Sequence, residues 1–283
     1  MPLTLQEQIQ QFYDASSGLW EQVWGEHMHH GYYGATGTER KERRQAQIDL
    51  IEELLAWGKV QQAQDILDVG CGIGGSSLYL AEKFNASATG ITLSSVQAQR
   101  ATERAAAAGL KDRTRFLVAD ALAMPFADDS FDLVWSLESG EHMPDKQQFL
   151  QECYRVLKPG GIFLMATWCN RPTDPPNPPL SSAELKHLEE IYRVYCLPYV
   201  ISLPGYGAIA HKLGFRDIRT ADWSTAVAPF WDVVIDSALN LGVIKALLRS
   251  GWITIQAALS LGLMQRGYRN GLIRFGLLCA GKG

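Results

Sequence analysis

A tight run of glycines between an apolar strand and an amphipathic helix constrains this chain more than any other feature. Asp68-Val69-Gly70-Cys71-Gly72-Ile73-Gly74-Gly75 follows the strand-like run 65–70 and opens a helix-forming run at 75–84. Glycines at such a junction let the backbone turn sharply and meet a ligand with no Cβ in between. Strand-like runs recur at 87–92, 114–119, 131–137 and 161–168, with helix-forming runs at 94–109 and 145–157 between them. That alternation predicts a doubly wound parallel sheet, an α/β fold.

Elements flank this core on both sides. Upstream, 44–57 places Ile48, Ile51, Leu54 and Leu55 at helical spacing. Downstream, 182–196 and 205–213 read as helices, and 216–223 and 272–280 as strands able to close the sheet as an antiparallel pair. The proline-rich segment 172–179 cannot be regular helix or central strand, and reads as a stiff linker or as part of a lid. Between the last two strands lies an apolar, helix-forming insertion, 226–268.

Composition closes several doors. A formal net charge of −4 gives no reason to expect a polyanion, so nucleic acid is not an expected partner. The five cysteines, 71, 153, 169, 196 and 279, form no close pair, which argues against a disulfide scaffold or zinc cluster and for a reducing compartment. The longest uncharged apolar stretch runs only from 250 to 264, short of the roughly 20 residues of a spanning helix. No membrane span is expected, and peripheral membrane contact stays open. The polar start of the chain does not read as a signal peptide.

Gly70, Gly72 and Gly75 also satisfy the dinucleotide pattern GxGxxG, so the loop alone does not name its ligand. Three features do. The second strand ends in Gly90-Ile91-Thr92-Leu93, with no acid to hold a dinucleotide's ribose. Asp120-Ala121 closes the third strand, where a carboxylate can accept from an adenine amino group. Asp68 stands before the glycines, placed to organise the ammonium of a cationic donor, while the helix N-terminus faces a carboxylate.

LDVGCGIGG (67–75), VADALAMPF (118–126), FDLVWSLESGEHM (131–143) and RVLKPGGIF (155–163) together resemble class I S-adenosylmethionine-dependent methyltransferases. The resemblance implies a Rossmann-like seven-stranded sheet, with an N-terminal helical lid (1–60), a donor-binding core (61–170) and a substrate-side region (171–283). It places S-adenosyl-L-methionine against Asp68, Gly70, Cys71, Gly72, Gly74, Thr92, Leu93, Asp120, Ala121 and Leu137. Thr92 stands where many members carry an acid. A subset with GITLS-x-x-Q uses the glutamine instead, which makes Gln97 the candidate ribose contact. Tyr13 is a candidate cover for the methionyl end.

Methyl transfer from a sulfonium needs alignment above all, and a base only where the acceptor must lose a proton. The segment after the fourth strand, Glu138-Ser139-Gly140-Glu141-His142-Met143, resembles the ExxxHM of small-molecule methyltransferases, in which this histidine is the presumed base. His142 is therefore the catalytic candidate. Glu138 is a candidate substrate contact, and Glu141 reads as a helix-start acid. Trp20, Trp24, His30, Tyr32 and Tyr33 are candidate walls for a flat aromatic acceptor. The His27, His29 and His30 cluster lacks the separated ligand pairs of common zinc sites, so no metal is expected, and it reads as lid contacts to substrate or donor or as a structural loop.

The ends of the chain narrow the resemblance. YDASSGLWEQVWGEHMHHGYY (13–33), VAPFW (227–231), LLRSGW (247–252) and MQRGYRNGLIRF (264–275) resemble the gamma-tocopherol methyltransferase family. That implies methylation of a chromanol ring carbon ortho to the phenol, gamma- to alpha-tocopherol and delta- to beta-tocopherol. The insertion 226–268 would then house a prenyl tail or lean on a membrane. Plant members carry a plastid transit peptide, so the chain reads as a cyanobacterial, cytoplasmic member or a trimmed plastid form. Indole alkaloid N-methyltransferases share the WGEHMHHGYY segment and are the nearest rival, followed by sterol or small-amine methyltransferases. A donor-binding protein without chemistry and a dehydrogenase fit the residues less well.

Overall fold

The computed structural model describes residues 25–238 and 252–283, together with Glu7, Ile9, Gln10, Gln11, Tyr13, Asp14, Ser17 and Glu21 of the N-terminal segment. Trp20, Trp24 and 239–251 lie outside the described residues.

Strands β1 (Asp65–Val69), β2 (Ser87–Thr92), β3 (Thr114–Val118), β4 (Phe131–Leu137), β5 (Leu157–Asn170), β6 (Arg216–Asp222) and β7 (Ile273–Gly281) form one seven-stranded sheet in the order β3-β2-β1-β4-β5-β7-β6. β1 to β5 run parallel, and β7 runs antiparallel between β5 and β6. The expected doubly wound sheet and its closing antiparallel pair are therefore both present. β1 reads as an apolar run because helices cover both of its faces: Ile66, Leu67 and Val69 are fully buried.

Helices α1 (Arg43–Gly58), α2 (Gly75–Phe84), α3 (Ser95–Ala107), α4 (Lys146–Val156), α5 (Ser182–Tyr195) and α6 (Leu203–Lys212) are held to their boundaries by local chemistry. Glu42 accepts from the Gln45 amide at the start of α1, Ser94 from that of Gln97 before α3, and Asp145 from that of Gln148 before α4. Such caps satisfy donors that the first turn of a helix leaves unpaired. Ser181 and Glu184 form a reciprocal capping box at α5. The strand expected at 161–168 begins earlier, at Leu157, because Phe131 pairs with Leu157 before a register shift carries the Lys-Pro-Gly-Gly segment across.

The proline-rich segment contributes nothing to the cleft described below. Arg171 pins it instead, donating to the carbonyls of Pro172, Pro178 and Pro179 and to Glu184. Of the insertion, α7 (Ser224–Val227), α8 (Pro229–Ala238) and α9 (Trp252–Arg269) are described. Val227, Phe230, Trp231, Val234, Leu261, Met264 and Tyr268 join the core above β5 and β7.

Candidate active site

The carboxyl ends of parallel strands β1, β2, β3 and β4 fall on one edge of the sheet, where doubly wound folds bind ligands. A cleft there encloses about 1030 Å³ of empty space, its open mouth included. Its lining takes in Asp68, Gly70, Cys71, Gly72, Thr92, Leu93, Gln97, Asp120, Ala121, Leu137, Tyr13, Glu138 and His142. Most of the residues singled out in the sequence thus meet in one place.

The glycine loop works as a cradle at two positions. Gly70 has φ +82, and a Cβ there would sit 2.2 Å from the Cβ of Ser139. A side chain would therefore clash with the β4 loop as well as strain the backbone. Gly74 has φ +81 and turns away from the cleft: its Cβ would meet Phe116 at 2.9 Å and Ala101 at 3.0 Å. Its place is the close seat of α2 on the sheet, and Gly75 takes the lining position instead. Asp68 is 2% exposed and accepts from the Ser77 hydroxyl at 2.6 Å. Burial pushes its carboxyl up to about 6, although the Ser77 bonds pull the other way.

At the end of β2, the Thr92 hydroxyl donates to Oε1 of Gln97 at 2.7 Å. Gln97 is 4% exposed, so it is a fixed wall of the cleft and not a solvated helix residue. Ser94 caps α3 and also donates to Asp14 of the N-terminal segment, tying that segment to the cleft. Asp120 accepts from the Leu122 amide at 2.9 Å in a tight turn.

Beyond β4 the chemistry becomes denser. Glu138 has φ +54, a left-handed conformation unusual for a residue with a side chain. The strain accompanies a full set of donors: the His30 amide at 2.6 Å, His30 Nδ1 at 2.7 Å and Trp168 Nε1 at 3.0 Å. Burial opposes its charge, but His30 outweighs burial and holds the Glu138 carboxyl below the usual range. His30 is fully buried among the rings of Trp168, Phe230, Trp231, Tyr268 and Phe275.

A single 3₁₀ turn, Gly140–His142, then carries the catalytic candidate. Lys146 Nζ donates to the carbonyls of Gly140 and Glu141 at 2.9 Å, and the Tyr206 hydroxyl donates to that of Gly140. Glu141 is 1% exposed and accepts from Thr167 at 2.6 Å, so it anchors the turn from below. Burial, and then the charge of Glu138, push its carboxyl up to about 8. Burial pulls the Lys146 ammonium down to about 7, against the attraction of Glu141. The half-buried His142 has Nε2 at 2.7 Å from the Tyr13 hydroxyl. Burial, with Lys146 adding repulsion, lowers His142 to about 3. Burial, with Glu141 next, raises Tyr13 far above the usual phenol range. At neutral pH the imidazole is therefore uncharged, and in the tautomer with its proton on Nδ1 its Nε2 accepts from the Tyr13 hydroxyl.

Tyr32 and Tyr33 do not reach the cleft. Tyr33 is 1% exposed and its amide donates to Ala226 O, whereas Tyr32 lies against Trp223 and Lys41. His30 stands behind Glu138 and outside the lining. Sequence reasoning read His29 only as one of a cluster of lid or loop histidines, and it passed over Glu26 and Met28, which also line the cleft, and Ser139, Met143 and Pro144 beside His142. The neighbourhood of the His-rich loop to the glycine loop was the missing information: a Cβ on Gly72 would lie 3.8 Å from the Met28 sulfur, and one on Gly75 would meet Glu26 O at 2.6 Å.

The cleft fits S-adenosyl-L-methionine on its own features: a glycine cradle intolerant of Cβ, buried carboxylates suited to a cation, and a fixed amide for ribose hydroxyls. Residues 67–165 match the methyltransferase domain family. Fold and site together define an S-adenosylmethionine-dependent methyltransferase of the class I architecture. A probable tocopherol O-methyltransferase, chloroplastic, of Oryza sativa subsp. japonica is 50% identical over 99% of this chain and 79% of its own length. The chloroplastic tocopherol O-methyltransferase of Arabidopsis thaliana is 45% identical over 98% of this chain and 82% of its length. Geranyl diphosphate C-methyltransferase from Streptomyces coelicolor A3(2), crystallised with S-adenosyl-L-homocysteine, shares the fold with a TM-score of 0.77 at 22% identity, covering 99% of this chain and 98% of that one. The chain belongs to the tocopherol methyltransferase family. Among the described residues no helix is long and apolar enough to cross a membrane.

Proposed function

We propose that this enzyme transfers a methyl group to a ring carbon of the chromanol head of tocopherols, ortho to the phenol, turning gamma- into alpha-tocopherol and delta- into beta-tocopherol. The observation that carries the reading is the hydrogen bond between His142 and Tyr13 at the end of β4, within the donor cleft. The likeness to tocopherol methyltransferases along nearly the whole chain supports the choice of acceptor.

Bound S-adenosyl-L-methionine supplies an electrophilic methyl group on a sulfonium. Asp68 and the glycine loop face its methionyl end, Gln97 with Thr92 its ribose, and Asp120 with Ala121 its adenine. Leu93, Leu137 and Cys71 fill the apolar remainder, and Tyr13 covers the cleft. A phenol has a pKa of about 10, and its anion is the better carbon nucleophile at the ortho position. His142 Nε2 receives one proton through Tyr13, which takes up the acceptor's phenolic proton as it passes on its own. After the carbon–carbon bond forms, the displaced ring proton restores the phenol, so one proton leaves overall. Holding acceptor and donor in line accounts for much of the remaining rate.

On the acceptor side, Glu138 lines the cleft with His30 and its ring of aromatic side chains directly behind it. The insertion 226–268 takes the prenyl tail or rests on a membrane that delivers it, with the enzyme at a cytoplasmic or plastid membrane surface. The test is an acceptor panel with labelled donor: gamma-tocopherol, delta-tocopherol, a tail-less chromanol and an indole alkaloid. Alpha-tocopherol from gamma-tocopherol, with its free phenol intact, is the expected product. A phenyl methyl ether would overturn ring-carbon transfer, and turnover of the alkaloid alone would overturn the acceptor. Equal efficiency on the tail-less chromanol would remove the tail role of the insertion.

A further inference from the structure

Among the histidines of the Glu26–Gly31 loop, His29 combines two properties. It is 4% exposed, and it lines the donor cleft. Its Nδ1 lies 2.8 Å from the carbonyl oxygen of His30. A carbonyl only accepts, so Nδ1 carries the proton and Nε2 presents a lone pair. That Nε2 is buried, and among the described residues nothing donates to it. A buried acceptor left unmet costs free energy, which makes such an atom a pointer to a ligand that donates.

The position says which donor group to expect. The loop holding His29 packs over the glycine run, where Gly72 approaches Met28 and Gly75 approaches Glu26 and His27. Asp68 and Glu138 are the buried carboxylates of the same cleft. An ammonium carries three N–H donors and no acceptor, and so needs several acceptors around it when it leaves water. We propose that Nε2 of His29 accepts a hydrogen bond from the methionyl ammonium of the bound methyl donor, sharing that cation with Asp68. Burial lowers the His29 imidazole to about 3, with repulsion from His27 next, so it enters this cationic site uncharged. The inference rests on the donor assignment above.

Two substitutions separate the ring's two nitrogens. In His29→Asn the side-chain amide sits near the Nδ1 position and keeps a donor to the His30 carbonyl, while the Nε2 acceptor is gone. In His29→Gln an amide oxygen reaches the Nε2 position. Calorimetry on the full chain with S-adenosylhomocysteine, and with its analogue lacking the amino group, reads the contact without turnover. We expect His29→Asn to weaken S-adenosylhomocysteine about tenfold to a hundredfold, the range of a hydrogen bond to a charged group, and to leave the deaminated analogue unchanged. His29→Gln regains part of the loss. Unchanged binding of S-adenosylhomocysteine by His29→Asn would overturn the contact, as would an equal loss for both ligands. A raised KM for the chromanol with donor affinity intact would move the atom's partner to the acceptor hydroxyl and likewise overturn it. Failure of the wild-type chain to bind S-adenosylhomocysteine would instead strike the donor assignment itself.

Discussion

At the ends of β1 and β2 the cleft is lined by two short stretches, 68–76 and 91–97, in which backbone and small side chains do the shaping. Gly70 and Gly72 leave room, Ser77 holds Asp68, and Thr92 holds Gln97 within five positions. Past the end of β4 the opposite holds. Glu138 draws its donors from His30, 108 positions away, and from Trp168 on β5, and His142 meets Tyr13 across 129 positions. The donor edge is thus shaped mainly by local backbone geometry, with the loop of Glu26, Met28 and His29 and Asp14 packed onto it from the N-terminal side. The acceptor edge exists only when distant segments have packed, which lets one scaffold keep its methyl donor while its acceptor changes.

Three substitutions bear on that contrast, beginning with the largest effect. His142→Ala removes the proposed proton acceptor at the acceptor edge. It is expected to lower kcat on gamma-tocopherol by about a hundredfold to ten-thousandfold, the usual range for a general base. Affinity for S-adenosylhomocysteine should hold within about threefold, because the donor edge stands without it. Unchanged turnover would take the base role away from His142. Glu138→Ala leaves the buried His30 ring and amide without their carboxylate and leaves Trp168 Nε1 unmet. Urea unfolding should show a loss of about 3 kcal/mol, as for other broken buried pairs. A loss under about 1 kcal/mol would mean that the acceptor edge is not held together by this network.

The smallest effect belongs to the donor edge. Gly70→Ala forces a side chain into a left-handed residue and against Ser139. Strain of about 1–3 kcal/mol is the expected cost, read as weaker S-adenosylhomocysteine binding by calorimetry. A donor affinity equal to that of the wild type would show that the loop yields, and that local geometry is less decisive than the comparison implies.

The element boundaries testify to the same division. Helix and strand expectations between 65 and 157 fall within a few residues of the observed ones because period, caps and glycines are read from neighbours in the chain. Gln97, singled out through the family resemblance, lines the cleft together with Asp68, Asp120, Gly70 and Gly72, whereas Gly74 does not. Tyr32 and Tyr33 looked like acceptor walls on composition, yet the chain turns them onto Ala226 and Trp223, away from the cleft. His29, which lines the cleft, carried no local signal that set it apart from His27 and His30.

By itself, then, the sequence determined the doubly wound sheet, the donor cradle and the turn that bears His142, because each depends on contacts within about ten residues or on a repeating hydrophobic period. Only the tertiary structure decided that Tyr13 is the partner of His142, that His30 serves Glu138, that Glu141 lies buried against Thr167, and that His29 lines the cleft with its Nε2 buried and unmet among the described residues. Those outcomes follow from how segments a hundred residues apart pack, and burial then sets which of the groups are charged.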